Sequence, residues 1–324
     1  MGWRAGVDLG GTKLAVGIVD SAGKLLGECS SRDHAGLSEE EILDRVVRNL
    51  DAALECAGAR AGRGRAELDG VGILFPGHIR WPEGVTLTCS NLPGFKGFPL
   101  RRRLEERIGV PVLADNDANG QTLGEHRYGA GIGADHMVFM TVSTGVGGGI
   151  IIDGKLYRGM TGTAGEFGHM IVDASGGGLC TCGNRGCLMG SASGLALPEA
   201  ARRASGRLAA SGKPSGLPSG CRDYDDLDGE LLGAGCEDNE LCREVVEDFA
   251  RYIGIGLYNI FQILNPRLVV LGGGLLNLPD FFFQDASRIC YERAGNMMLE
   301  RMEIRKGILG VRAGILGAAA LFQP

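Results

Sequence analysis

The sequence has no uninterrupted apolar run of about eighteen residues, the length a membrane-spanning helix needs, and this excludes a helical membrane protein. Its start, MGWRAGVDLGG, lacks the basic-then-apolar pattern of a secretion signal and runs straight into a strand. There is no excess of positive charge: 33 basic against 39 acidic residues give a formal net charge of −6. Such a balance argues against a protein that coats nucleic acid or anionic membrane, and neither is expected as a partner. Glycine is abundant, at 56 of 324 residues, but without the triplet period of collagen. What remains is a chain 44% hydrophobic and 22% charged, globular in composition. Its length suits about two domains.

Ten cysteines without a secretion signal point to the reducing cytoplasm. Cys29, Cys56, Cys89, Cys221, Cys236, Cys242 and Cys290 are isolated in sequence, whereas Cys180, Cys182 and Cys187 stand together.

The chain contains an internal echo. Residues 6–26, GVDLGGTKLAVGIVDSAGKLL, read as strand, glycine turn, strand, tight turn and strand. Residues 138–157, VFMTVSTGVGGGIIIDGKLY, repeat that order with an Asp153-Gly154 hairpin turn. Two such hairpins predict a duplicated α/β architecture in which each opens one half. Between them the pattern predicts a helix over 38–59, a strand at 70–75, a loop at 76–98, a helix near 99–108 and a strand at 111–114. An irregular cysteine-bearing segment follows at 160–190. Residues 204–237, rich in Ser, Gly and Pro, predict a flexible surface insertion. A long amphipathic helix over 239–264, a strand at 268–274 and a small-residue helix in the tail AGILGAAALF complete the chain.

The turn Asp8-Leu9-Gly10-Gly11-Thr12-Lys13 lies between two strands, so it is neither a dinucleotide fingerprint nor a Walker loop, both of which open a helix. Consecutive glycines let the backbone present N–H groups to an anion. Thr12 and Lys13 add a hydroxyl and a cation, and Asp8 can hold magnesium through water. The recurrence as Ser143-Thr144-Gly145-Val146-Gly147-Gly148 makes two phosphate-type turns, which fits a nucleotide. Asp115, Asn116 and Asp117 sit where a strand stops and a helix begins. A helix cap needs one polar residue there, and three beside the second glycine turn suggest more. A carboxylate at such a junction can accept the proton of a substrate hydroxyl attacking a phosphoryl group, so Asp117 is the candidate base and Asn116 a substrate hydrogen-bonding group. His169 followed by Cys180-x-Cys182-x4-Cys187 is a complete Cys3His set, the pattern of a closed structural zinc site. If the segment starts as a helix, Glu166 and His169 share a face.

Taken together, VDLGGTK, LADNDANG, STGVGGG, EFGH, CTCGNRGC and NPRLVVLGGG resemble, in order and over essentially the whole chain, the ROK family (repressors, open reading frames, kinases). EFGH followed by CTCGNRGC is highly diagnostic. The resemblance implies an α/β, actin-like ATPase (ribonuclease H-like) fold, with two duplicated domains around a nucleotide and sugar cleft and a homodimer or homotetramer. It implies domains at 1–115, completed by the C-terminal helix at 311–324, and 116–310, bearing the zinc loop at 166–190 and the insertion at 204–237. It also implies ATP-dependent phosphorylation of a hexose, glucokinase-like, with Asp117 as base. Gly77, Asn91, Asn116, Glu166 and His169 match sugar contacts, with His169 also on zinc. Asp8, Gly10, Gly11, Thr12, Lys13, Thr144, Gly145 and Gly147 match the phosphate-binding segments, and Gly272, Gly273 and Gly274 the loop near adenosine. The implied cofactors are ATP, catalytic Mg2+ and structural Zn2+.

One departure bears on substrate. Two residues after the last zinc cysteine, where the family places a sugar-bonding glutamate, this chain has Met189, followed by Gly190 and Ser191. An N-acetylhexosamine or another sugar is therefore an alternative substrate, and a non-catalytic sugar sensor a second alternative. A DNA-binding repressor is not expected, because the first hairpin begins at residue 6 and leaves no room for a helix-turn-helix before it.

Overall fold

A computed structural model of the chain describes residues 2–32, 34, 36–58, 64–89 and 92–323. The strands are β1 (Trp3–Leu9), β2 (Leu14–Val19), β3 (Leu25–Ser31), β4 (Leu68–Phe75), β5 (His78–Arg80), β6 (Val85–Thr88), β7 (Val112–Asn116), β8 (Met137–Val142), β9 (Val146–Ile152), β10 (Lys155–Tyr157), β11 (Leu268–Gly272) and β12 (Glu303–Lys306). The helices are α1 (Glu39–Cys56), α2 (Leu100–Ile108), α3 (Asp117–Tyr128), α4 (Leu188–Ser191), α5 (Leu197–Ala210), α6 (Gly229–Gly235), α7 (Glu240–Leu264), α8 (Asp280–Ala294) and α9 (Ala313–Ala320). No helix among the described residues is long and apolar enough to cross a membrane.

The two large sheets carry the echo at the level of topology. One has the strand order β3-β2-β1-β4-β7 and the other β10-β9-β8-β11-β12. In the first, β1 pairs antiparallel with β2, and β4 lies parallel to both β1 and β7. In the second, β11 lies parallel to both β8 and β12, while β9 and β10 form an antiparallel hairpin. Central strands buried on both faces need near-continuous apolar sequence, and β2, LAVGIV, is buried at every position.

By packing, the chain falls into two compact units. One comprises Met1–Asp135, Gly149–Ala164 and Gly307–Pro324; the other comprises His136–Gly148 and Gly165–Lys306. In the first unit, α1 starts with a Ser38/Glu41 capping box and buries Ile42, Leu43, Val46 and Leu50 against β2 and β3. On the other side α9, built of small residues, approaches the sheet at backbone distance. A Cβ on Gly72 of β4 would stand 1.8 Å from the carbonyl oxygen of Ala318, so only glycine fits. Helix α3 packs on α9 the same way: a Cβ on Gly317 would meet the Gly120 carbonyl oxygen at 1.8 Å. This contact holds α3 in the first unit, beyond the expected boundary at 115/116.

The segment at 204–237 differs from the flexible insertion expected of its composition. It contains the end of α5, a short turn at Tyr224–Asp226 and all of α6. Leu208, Leu227, Leu232 and Cys236 are buried, and α5 and α6 pack on α7. A few apolar side chains at the right spacing outweigh the Ser/Gly content. The expected loop at 76–98 likewise contains the hairpin β5–β6.

Glycine's role at the α9 interface is testable. Gly72→Ala is expected to lower stability by about 1–3 kcal/mol through overpacking, read as a lower urea midpoint. In contrast, Gly206→Ala on α5, where a Cβ meets nothing within 4 Å, is expected to leave the midpoint equal or higher.

Candidate active site

The first glycine turn joins β1 to β2 and is closed by the Gly10 N–H donating to the Lys13 carbonyl at 2.8 Å. The outward carbonyl of Gly10 is bound by the fully buried His34, whose Nε2–H donates to it at 2.9 Å. This second tie fixes the bend that the predicted phosphate turn Gly10, Gly11, Thr12 and Lys13 requires. Sequence reading missed His34, since a lone histidine carries no motif. Asp8 is half-buried beneath the first turn of α9, where a Cβ on Gly314 would meet its Oδ2 at 2.1 Å. Burial pushes its carboxyl above the ordinary aspartate range, and Lys13 partly offsets this.

In the same unit β7 runs directly into α3 with Asn116 as the N-cap. Its Oδ1 accepts from the N–H groups of Ala118 and Asn119 at 2.9 and 3.2 Å. The Asn116 Nδ2 donates to the Gly77 carbonyl at 3.1 Å and to Asp117 Oδ1 at 2.9 Å. Asp117 Oδ1 also accepts from the Ala118 N–H at 2.8 Å. The predicted trio Gly77, Asn116 and Asp117 is thus one hydrogen-bonded group. Asn91 lies outside the described residues. Behind the trio, Asp115 is only 3% exposed. Its Oδ1 accepts from Asn116 N–H and Asn119 Nδ2, and its Oδ2 from Arg158 Nε at 2.7 Å. The Arg158 guanidinium lies 3.7 Å from the ring centre of Trp81.

In the second unit the turn Ser143–Gly145 joins β8 to β9, and Ser143 N–H donates to the Gly145 carbonyl at 2.8 Å. The Ser143 and Thr144 carbonyls accept from the N–H groups of Gly194 and Leu195 at 2.8 and 2.9 Å. Gly147 lies on β9. Gly272 ends β11, and Gly273 turns at φ 95° against Val142, where a Cβ would meet the Val142 carbonyl oxygen at 2.3 Å. Next to them opens a cavity of about 740 Å3, lined by Thr144, Gly274 and Leu195 and by Leu227 and Glu230 of the segment expected to be a flexible insertion. That volume suits a cofactor-sized molecule. Spacing could not reveal Leu227 and Glu230, because their contribution arises only when α6 docks on α7.

The four predicted metal ligands converge in this unit. His169, Cys180, Cys182 and Cys187 have ligand atoms all within 4.8 Å of one another. Cys182 and Cys187 Sγ are 3.7 Å apart, and Cys180 Sγ is 3.4 Å from His169 Nδ1. A tetrahedral ion with Zn–S near 2.3 Å and Zn–N near 2.0–2.1 Å requires separations of about 3.8 and 3.5 Å, so the donor set fits zinc. The sulfurs are too far apart for a disulfide. The loop is shaped by Gly183 N–H donating to the Cys180 carbonyl, and by Gly186 at φ 76°, where a Cβ would meet the Asp173 carbonyl oxygen at 2.0 Å. A backbone bond from Asn184 draws the Cys182 thiol down to about 7, while burial pushes Cys187 up to about 12.

Glu166 precedes a short 3-10 turn, Phe167–His169, which is the helical start on which the shared face of Glu166 and His169 depends. Side chains three apart eclipse in such a turn, and His169 Nε2 faces Glu166 Oε2 at 3.7 Å. One ring nitrogen therefore points to the Cys180 sulfur and the other to a carboxylate, the arrangement that orients metal-bound histidines. Met189 on α4 is half-buried, and a Cβ on Gly145 would lie 3.2 Å from its Sδ, so the thioether packs on the second turn.

Residues 4–324 match the model of the ROK family. The chain is 32% identical to a glucokinase of Halalkalibacterium halodurans, over 99% of this chain and 95% of that one. It is 31% identical to a putative xylose repressor of Caldicellulosiruptor, over 99% of this chain and 78% of the repressor. Its fold is similar to that of a ROK family glucokinase from Streptomyces griseus solved in complex with glucose and AMPPNP, with a TM-score of 0.79, 31% identity and 99% of each chain covered.

Proposed function

The chain belongs to the ROK family, and we propose that it is an ATP-dependent hexose kinase, glucokinase-like, with Asp117 as general base. The observation that carries this reading is the junction of β7 and α3, where Asp117, Asn116 and Gly77 form one hydrogen-bonded group. Two donors on Oδ1 orient the Asp117 carboxylate, which takes the proton of a sugar hydroxyl as that oxygen bonds to the γ-phosphorus and ADP leaves. Gly77, Asn91, Asn116, Glu166 and His169 are proposed as sugar contacts. The turns at Gly10–Lys13 and at Thr144, Gly145 and Gly147 are proposed to cradle phosphates through backbone N–H groups. The cavity beside Gly272, Gly273 and Gly274 is proposed for the nucleoside.

Magnesium would neutralise phosphate charge. Asp8, whose carboxylate accepts no hydrogen bond from the described residues, is proposed to hold it through water. Zinc is proposed at His169, Cys180, Cys182 and Cys187, where four protein donors leave no open position and its role is structural. A homodimer or homotetramer in the cytoplasm is the proposed state. Met189 supports a sugar preference shifted from glucose, toward an N-acetylhexosamine or another sugar. Met189 also supports the second reading, a sugar-binding regulator without turnover, and one similar protein is named a putative xylose repressor.

In a panel of glucose, mannose, fructose, allose, 2-deoxyglucose and N-acetylhexosamines, sugar-dependent ADP release with Mg-ATP is expected. Asp117→Ala should reduce it by about 10²–10⁴-fold; an unchanged rate would sink the base assignment, and no turnover with any sugar would favour the regulator. Elemental analysis is expected to find one zinc per chain, lost in Cys180→Ser; a fully stable, zinc-free native chain would refute the metal site. Met189→Glu is expected to tighten glucose by about one to two orders of magnitude, the worth of one charged hydrogen bond. An unchanged glucose KM would remove Met189 from the specificity argument.

A further inference from the structure

We propose that Arg158 is a positioning residue for Asp117: stacked on Trp81 and bonded to the buried Asp115, it holds the β7–α3 junction in the geometry the base requires. The proposal rests on the reading of Asp117 as base. Its starting point is a charge that water does not reach. Asp115 is 3% exposed, and a carboxylate so placed is costly unless paired and hydrogen-bonded. Its partners straddle Asp117. Oδ1 accepts from the N–H of Asn116, the residue before the base, at 2.8 Å, and from Nδ2 of Asn119, two residues after it, at 3.0 Å. The Asp115 carboxylate therefore staples the end of β7 to the first turn of α3 across the base itself.

The staple is set by what holds its other oxygen. Arg158 Nε donates to Oδ2 at 2.7 Å, and its guanidinium is in turn seated 3.7 Å from the ring centre of Trp81, just beyond β5. The Arg158 carbonyl accepts from Ala164 N–H at 3.1 Å, so its backbone belongs to a closed loop. A planar cation that stacks with its face while donating from its edge does what lysine's ammonium cannot do. Neither Arg158 nor Asp115 is among the proposed substrate contacts, so the effect should fall on the chemical step rather than on binding.

The test uses the full chain with the sugar and Mg-ATP that support turnover, comparing Arg158→Gln, Arg158→Lys and Asp117→Ala. Arg158→Gln is expected to lower kcat by about tenfold to a hundredfold, the cost of a small misplacement of a reacting group. The KM values for sugar and ATP should stay within about threefold of native, and Arg158→Lys should restore kcat only in part. Hydrogen exchange at the Ala118 and Asn119 amides should quicken about tenfold or more in Arg158→Gln, in step with loss of cap geometry. In a Trp3→Phe background, Trp81 emission should change as its stacked cation is removed. Native kcat and unchanged amide protection in Arg158→Gln would overturn the proposal while leaving Asp117 as base. Full turnover in Asp117→Ala would overturn the base reading, and the proposal with it. Should Arg158→Gln not fold, Asp115→Asn/Arg158→Gln, which leaves no unpaired buried charge, takes its place. The same lowered kcat and quickened amide exchange are expected of that double variant, and native values of both would overturn the proposal.

Discussion

Asp115 is a charge with almost no access to water, and the first unit is built around satisfying it. A carboxylate at the end of a parallel strand has to find donors among whatever the fold brings near. Here they come from the next backbone N–H, from the first turn of α3 and from a guanidinium on the segment after β10. Each donor restrains a different piece of chain. Together they make the passage from β7 to α3 abrupt and rigid, so that Asn116 caps the helix with one end of its side chain and binds Gly77 and Asp117 with the other. The chemistry proposed for Asp117 depends on this passage more than on any property of the aspartate alone.

The second unit solves a different problem. Residues 170–187 contain no helix or strand of their own and are joined in the backbone only by isolated bridges and turn hydrogen bonds. Four metal-type donors converge there within 4.8 Å, so the zinc proposed for them would tie the loop together, and the far nitrogen of His169 lies toward Glu166. In both units, then, the side chains proposed as sugar contacts are positioned next to groups that lie outside the proposed contacts.

Glycine has a comparable indirect function. Gly72 and Gly317 allow α9 to lie at backbone distance from β4 and α3, and the same helix covers Asp8. The tail helix thereby sets the environment of a residue more than three hundred positions away in the sequence. The cost of any side chain at those contacts is overpacking against a carbonyl rather than loss of backbone freedom.

Much of this was legible in the residues alone. Hairpins around glycine turns, the Cys3His set and the polar triplet at a strand end are local patterns, set by spacing and backbone chemistry within a few residues, and all of them appear where the sequence puts them. The ROK resemblance rests on those same local patterns. What the sequence could not express is partnership over distance. Arg158 meets Asp115, and Trp81 meets Arg158, only because β10 is brought beside α3 and β5 beside β7, and His34 reaches Gly10 across 24 positions of sequence. Composition likewise misled at residues 204–237, because burial of Leu227 and Leu232 depends on a surface that α7 provides. The sequence alone determined which chemical groups are present and how neighbours along the chain are arranged. The tertiary structure alone decided which buried charges and carbonyls those groups satisfy, since desolvation penalises an unpaired group according to what surrounds it in space.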